Sequence, residues 1–203
     1  MAGITIWNYF KECFVGTSDT FKKNATVFGK VYFPRVIVPM SVTVSNLLKF
    51  FIQFTLFLAF YLYFLSQGKA GEPSLLILVM PILIIAMGMI GLGLGMIISS
   101  WTTKYRDLTV VVGFGVQLLM YLSAVPYSLS EVGKSNQEWV KMATPFIKYN
   151  PLTQVVEGFR NIFFGTGIFD ITMLLYVIVF SFCVFFLGLV VFNKTERNFI
   201  DTV

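Results

Sequence analysis

The 203-residue sequence has no histidine and only two cysteines, Cys13 and Cys183, which lie far apart in apolar sequence. That usage argues against a metal site and against a disulfide framework. Charge is scarce as well. Only 12% of residues are Asp, Glu, Lys or Arg, where a soluble domain carries about a quarter. Residues 74–100 hold no charge at all, and neither do residues 108–126. The N-terminus lacks a positive segment ahead of an apolar core, so it does not read as a secretory signal. With 57% hydrophobic residues and a mean hydropathy of +0.80, the composition defines an integral membrane protein. Lys and Arg number 15 against 10 Asp and Glu. The basic residues flank the apolar runs and form no basic face with interleaved aromatics, so membrane topology explains them better than nucleic-acid binding.

The chain is organised around Trp101-Thr102-Thr103-Lys104-Tyr105-Arg106-Asp107-Leu108, a polar knot between two long apolar runs. It reads as a tight hairpin between two membrane helices, and Lys104 and Arg106 place it in the cytoplasm. Spans are expected at about 39–65, 74–100, 108–127 and 171–192, each near the ~20 residues that cross hydrocarbon. With this topology Lys22, Lys23, Lys30, Arg35, Lys194 and Arg197 share the cytoplasmic side.

Residues 1–17 are apolar but too short to span. They read either as the tail of a membrane helix or as an interfacial helix. In residues 18–35, Phe21, Ala25, Phe28 and Tyr32 recur at helical spacing with lysines on the other faces. This basic amphipathic helix suits the cytoplasmic surface, either as a solvated topogenic loop or as a docking element. Asn46, Lys49 and Gln53 fall at i, i+3 and i+7 on one stripe of the first full span. A charge at mid-bilayer costs ~2.5–3.5 kcal/mol, so the stripe is expected to face protein or water; the alternative is that Lys49 snorkels to the cytoplasmic interface, which Asn46 and Gln53 cannot do. Gln117 is the one strongly polar group of the third span. These four are the pore-facing candidates. In the second span, Gly91 and Gly95 form a small-xxx-small pair suited to close helix packing.

Residues 128–169 are the most polar region and fall on the outer side. Asn150-Pro151 reads as a cap and first helical position. Leu152, Val155, Val156, Phe159, Ile162 and Phe163 line one face, and Glu157 can pair with Arg160 on the other. That helix is half a span long, hence surface-lying or re-entrant. Glu138–Thr144 reads as a second short helix ending before Pro145.

Chemistry is sparse. Gly133-Lys134-Ser135 lacks the earlier glycine of a phosphate loop, since position 128 is Ser128. Asn24-Ala25-Thr26 and Asn193-Lys194-Thr195 match the glycosylation sequon on the cytoplasmic side. No nucleophile–base set, metal-spaced cluster or buried carboxylate pair is visible.

Several motifs then combine into a resemblance. Lys30-Val31-Tyr32-Phe33-Pro34-Arg35 with Pro39-Met40-Ser41 resembles the cytoplasmic coupling segment of ABC-2-type permeases. The match is to the subgroup exporting polysaccharides such as O-antigen, capsule and teichoic acid. Lys104-Tyr105-Arg106-Asp107 resembles that family's loop between two spans. Gln117 followed by Ser123-Ala124-Val125-Pro126-Tyr127 resembles its next helix end, and Asn150-Pro151-Leu152 with Glu157-Gly158-Phe159-Arg160 its outer re-entrant hairpin. Glu196, Phe199 and Asp201 resemble its C-terminal tail.

The resemblance implies an all-α integral membrane fold with a cytoplasmic coupling helix and an outer re-entrant hairpin, one transmembrane domain over residues 1–203. It implies a homodimeric channel for a lipid-linked polysaccharide in the bacterial cytoplasmic (inner) membrane, with lipid around it. A separate ATP-binding subunit would bind ATP and Mg, leaving this chain without a cofactor and without catalysis of its own. ATPase coupling would fall to Lys30, Tyr32, Phe33, Pro34 and Arg35. Lys104, Tyr105, Arg106 and Asp107 would form a cytoplasmic gate, and Asn150, Pro151, Glu157 and Arg160 an outer one. The 23 Phe, 9 Tyr and 3 Trp would suit sliding sugar rings, with lipid contact as the plainer account of most. Two departures stand out. Family members usually carry an interfacial helix and a first span ahead of residues 3–17, and Lys49 stands where a neutral or acidic residue is expected. Other readings are an ABC-2 exporter of a drug or small lipid and a membrane-embedded enzyme on lipid-linked sugars. For the enzyme only Asp107 and Asp170 lie near the spans.

Overall fold

The computed structural model describes residues 1–28, 33–68, 71, 74–102, 105, 107–129, 138–165 and 170–200. Among them all regular structure is helical. The elements are α1 (Ala2–Ser18), α2 (Thr20–Phe28), α3 (Ile37–Ser66), α4 (Met80–Thr102, entered through a 3-10 turn at Leu75–Val79), α5 (Leu108–Leu122), α6 (Glu138–Tyr149), α7 (Pro151–Phe164) and α8 (Ile171–Ile200). Three stretches are long and apolar enough to cross a membrane, Ile37–Ser66, Leu76–Thr102 and Ile171–Glu196. At 15 residues, α5 covers only ~23 Å against a ~30 Å hydrocarbon core.

The bundle is built on α4, which packs most extensively against α8 on one side and α1 on the other. Glycine permits both contacts. A Cβ on Gly95 would lie 2.6 Å from the Thr17 Cβ, and one on Gly93 would lie 2.6 Å from the Val184 carbonyl oxygen. Without side chains at these positions the backbones approach closely, which is how helices gain packing where lipid removes the hydrophobic drive. Tyr9 meets Gly88, Cys13 meets Gly91 and Thr17 meets Gly95, so α1 and α4 run in the same direction. Tyr9 meets Phe50 and Gly16 meets Val42, so α3 runs against them. We call the end where α1 and α4 finish the basic end, since Lys22, Lys23 and Arg35 lie there.

One local outcome decides between two sequence readings, and three differ from the expectation. The 17 residues of α1 do not lie on a surface: Ile6, Trp7, Phe10 and Cys13 are fully buried at the centre of the bundle. The basic helix is shorter than residues 18–35. It opens at Thr20, because Asp19 breaks from α1 and its carbonyl accepts the Lys23 N–H at 2.9 Å.

The third apolar helix stops at Leu122 rather than near 127. Ala124 takes a left-handed φ of 50°, and the N–H groups of Ala124 and Val125 return to the carbonyls of Tyr121 and Met120 at 3.3 Å. This is a Schellman-type end, for which glycine is the usual signal. Finally, α6 continues through Pro145 to Tyr149. Proline removes one ladder bond, but the burial of Ile147 against Ala124 and Leu129 holds the last turn.

Helix α7 is immersed in the bundle. Besides the expected apolar face, Thr153, Gln154, Glu157 and Gly158 are buried. It inserts against α1, α4 and α8, the re-entrant alternative. Asn150 caps it, its Oδ1 accepting the Leu152 N–H at 3.0 Å, and Gly165 ends it with a φ of 62°. Much of the aromatic content holds this helix to α3: Phe57 meets Phe163 edge-on at 5.0 Å, and Tyr61 meets Phe163 at 5.4 Å.

Candidate functional site

Three polar features stand out in an otherwise apolar bundle: a seam along α1 and α3, a junction at the basic end, and a clamp at the opposite end.

The seam follows from two antiparallel helices that each repeat polar residues about once per turn. Asn8 Nδ2 donates to Gln53 Oε1 at 3.4 Å. One turn on, Lys49 Nζ lies 3.3 Å from Glu12 Oε2. A further turn on, Asn46 is buried beside Gly16. The stripe predicted on α3 therefore faces α1. Lys49 stands ~18 Å of helix from Ile37 and ~26 Å from Ser66, near the middle of α3. Its side chain is 61% exposed and that of Glu12 47%, so one edge of an ion pair at membrane depth opens to the outside of the chain. Sequence reading missed Asn8 and Glu12. Their i, i+4 spacing with Gly16, matched to the stripe on α3, was the available signal. Gln117 is not part of the seam; it lies exposed on α5 among the exposed Phe114, Leu118 and Tyr121.

At the basic end residues 33–35 meet the end of α8. Arg35 is buried, with its Nε 4.0 Å from Glu196 Oε1 and its backbone N–H donating to the same oxygen at 3.4 Å. Phe33 packs part-buried beside Phe21, Leu92, Met96 and Phe192, and Pro34 is exposed. Phe21 stacks on Phe192 at 4.5 Å. Lys30 and Tyr32 lie outside the described residues. So do Lys104 and Arg106 of the hairpin loop, where Tyr105 and Asp107 are both exposed. Asp19, which the sequence did not single out, is buried here and accepts from Thr109 Oγ1 at 3.0 Å.

The opposite end is tied by Arg160. Its Nη1 donates to Glu157 Oε1 at 2.7 Å and to the Tyr127 carbonyl at 2.6 Å, and its Nη2 to the Val125 carbonyl at 2.6 Å. Glu157 also accepts the Leu129 N–H at 3.2 Å. The pair predicted on an outer polar face is therefore an inner clamp that draws the turn after α5 onto α7. Asn150 adds a bond from Nδ2 to Ser123 Oγ at 3.2 Å, and Pro151 sits at the first turn of α7. The Tyr127 hydroxyl donates to the Tyr121 carbonyl at 2.6 Å, and burial raises its pKa above the ordinary value. Among the described residues no group of three His, Cys, Asp or Glu could hold a metal ion.

A helical bundle with membrane-length apolar helices and a polar seam at membrane depth defines a multi-pass membrane protein. Its sequence matches the ABC-2 type transporter family over residues 1–164, so the chain belongs to that family of membrane transport proteins. Among curated proteins it is 25% identical over 202 residues to an O-antigen export system permease protein RfbA of Klebsiella pneumoniae, an alignment covering 99% of this chain and 73% of that relative. A second protein of that name from the same organism is 26% identical over 203 residues, with the same coverage. A namesake from Myxococcus xanthus is 21% identical over 201 residues, covering 99% of this chain and 74% of its own length.

Proposed function

We propose that this chain is the channel-forming permease subunit of an ATP-driven exporter that moves a lipid-linked polysaccharide across the bacterial cytoplasmic membrane. Family membership and three relatives named as O-antigen export permeases support the transport class and its cargo. The observation that carries the reading is the Glu12–Lys49 pair, half exposed at the middle of α3. Ionisable groups at that depth face a protein interior or a water-filled cavity rather than lipid. Two copies of the chain facing each other would enclose such a cavity, with Asn46, Lys49 and Gln53 of α3 and Asn8 and Glu12 of α1 along its wall. A glycan rich in hydroxyls exchanges hydrogen bonds with amides at little cost and slides past them.

The energy comes from a separate ATP-binding chain that holds ATP and Mg, and this chain carries no cofactor. The partner docks at the basic end, which faces the cytoplasm by the positive-inside rule. There Lys22 and Lys23 of α2 are exposed, and the residues from Lys30 to Arg35 connect α2 to α3. The test is deletion of the gene, read on a surface-polysaccharide gel together with an assay for lipid-linked polymer inside the cell. Loss of the surface glycan with polymer trapped in the cytoplasm is the expected outcome. An unchanged surface with nothing trapped overturns the reading and turns attention to export of a drug or small lipid.

A further inference from the structure

We propose that Lys11 is an anion-binding residue at mid-membrane, and that the polymer passing it is acidic, with carboxylate or phosphate groups along its length. The proposal deepens the exporter reading above and rests on it.

The first observation is depth. Lys11 lies on α1 between Tyr9, which meets Gly88, and Cys13, which meets Gly91. Those two glycines straddle the midpoint of the membrane-length stretch Leu76–Thr102. About 19 Å of helix separate that level from Thr102, too far for a lysine to snorkel to the basic end. The neighbouring α5 gives the same level. Gly3 meets the Val125 carbonyl and Asp19 binds Thr109. Lys11 and the exposed Gln117 are each midway between those contacts, so they stand level.

The second observation is the face. Most of α1 is buried, and the strip left open runs through Ile4, Asn8, Lys11, Glu12 and Val15, at helical spacing. Lys11 therefore opens on the same side as the seam, on the wall assigned to the polymer's path.

The third observation is a charge that nothing at that level balances. Among the described residues no ion pair includes Lys11. Glu12 is adjacent in sequence, but successive residues of a helix do not face each other, and Glu12 pairs with Lys49 at 3.3 Å. The other described carboxylates lie elsewhere. Asp19, Asp107 and Glu196 are at the basic end, Glu157 is in the clamp, and Asp170 precedes α8. This depth thus holds two lysines and one described carboxylate per chain. A second copy brings the same ratio, so assembly of copies enlarges the excess instead of cancelling it. Ionisable groups at membrane depth mark the paths of ions and substrates, and a positive excess in a low-dielectric cleft draws anions. An acidic glycan supplies the missing charge, repeat by repeat, as it passes. Lysine suits the task as a flexible, hydrated point charge, which holds each acid without the two-pronged grip of arginine.

The experiment has two arms. The glycan that disappears from the surface on deletion of the gene is purified from wild-type cells and assayed for uronic acid and phosphate. Cells lacking the chromosomal gene also carry full-length Lys11→Gln, Lys11→Arg, or Lys11→Gln combined with Glu12→Gln, and surface glycan is read per membrane-inserted chain. The expected glycan is acidic in every repeat. Lys11→Gln lowers export about tenfold, the scale for losing one hydrogen bond to a charged group, while Lys11→Arg keeps the charge and most of the export. The double variant stays as low as Lys11→Gln, because Lys11 acts on the polymer and not on Glu12. A neutral glycan, or one with acid only at its end, overturns the proposal and leaves the exporter reading intact. So does wild-type export by Lys11→Gln, an equal loss in Lys11→Arg, recovery in the double variant, or a loss that only follows a loss of inserted chain. An unchanged surface after deletion fails the exporter reading itself and takes this proposal with it.

Discussion

Arg160→Met isolates the energetics of the clamp at the end opposite the basic one. The arginine neutralises Glu157, which is 1% exposed on its side chain, and satisfies the Val125 and Tyr127 carbonyls. The other carboxylate oxygen, Glu157 Oε2, is buried with no hydrogen-bond partner among the described residues. Removing the guanidinium therefore leaves a buried carboxylate that, among the described residues, keeps only the Leu129 N–H. Breaking one side of a buried ion pair costs ~3–5 kcal/mol. For a chain of this length each kcal/mol moves the thermal midpoint by ~2–4 °C, so the variant should melt roughly 6–20 °C below wild type. The assay is a thermal melt of the solubilised chain, followed as the fraction remaining monodisperse. Glu157→Gln added to Arg160→Met removes the stranded charge and should recover more than half of the loss, because the cost lies in the uncompensated ion rather than in the absent pair. A melt of Arg160→Met within about 2 °C of wild type, below the smallest shift expected, refutes the reasoning. A double variant that falls below the single one does the same.

Two further predictions follow from packing and from the basic end. Gly93→Ala places a Cβ 2.6 Å from the Val184 carbonyl oxygen and should cost about 1–3 kcal/mol in the same melt. Gly113→Ala meets open space and should be neutral or stabilising, by up to ~1 kcal/mol from helix propensity; equal effects at the two sites would contradict the packing described. Arg35→Glu sets a carboxylate beside Glu196 and should lower the amount of folded chain in membranes. The exchange Arg35→Glu with Glu196→Arg should restore it, and failure of that exchange would show that the contact is not the reason Arg35 matters.

Much of the architecture was legible because it rests on signals that survive any tertiary context. Uncharged runs mark apolar helices, Asn150-Pro151 marks a helix start, and the stripe Asn46, Lys49, Gln53 marks the side of α3 that meets α1. What escaped reading depends on partners distant in the chain. Asn8 and Glu12 look like stray polar residues until α3 is laid against them in reverse. Ala124 ends α5 in a conformation normally signalled by glycine, so Pro126 looks like the stop. Arg35 reads as a basic residue of the coupling segment just before a span, yet Glu196, at the end of a helix far along the sequence, draws it into the protein. Asp19 can mark a helix start in the sequence, but its bond to Thr109 exists only where α2 meets the start of α5.

The most direct test of the central claim asks whether the seam faces a watery path for the polymer. Gln53→Cys and Ile52→Cys would be made in a chain whose Cys13 and Cys183 are replaced, and labelled in membranes with a small water-soluble thiol reagent. Both positions are exposed on α3, but position 53 lies on the seam and position 52 on the apolar flank. The account predicts rapid labelling at 53 and little at 52, with labelling at 53 slowed in cells that make the polymer relative to cells that do not. Equal labelling at the two positions, or a rate at 53 indifferent to the polymer, would contradict it.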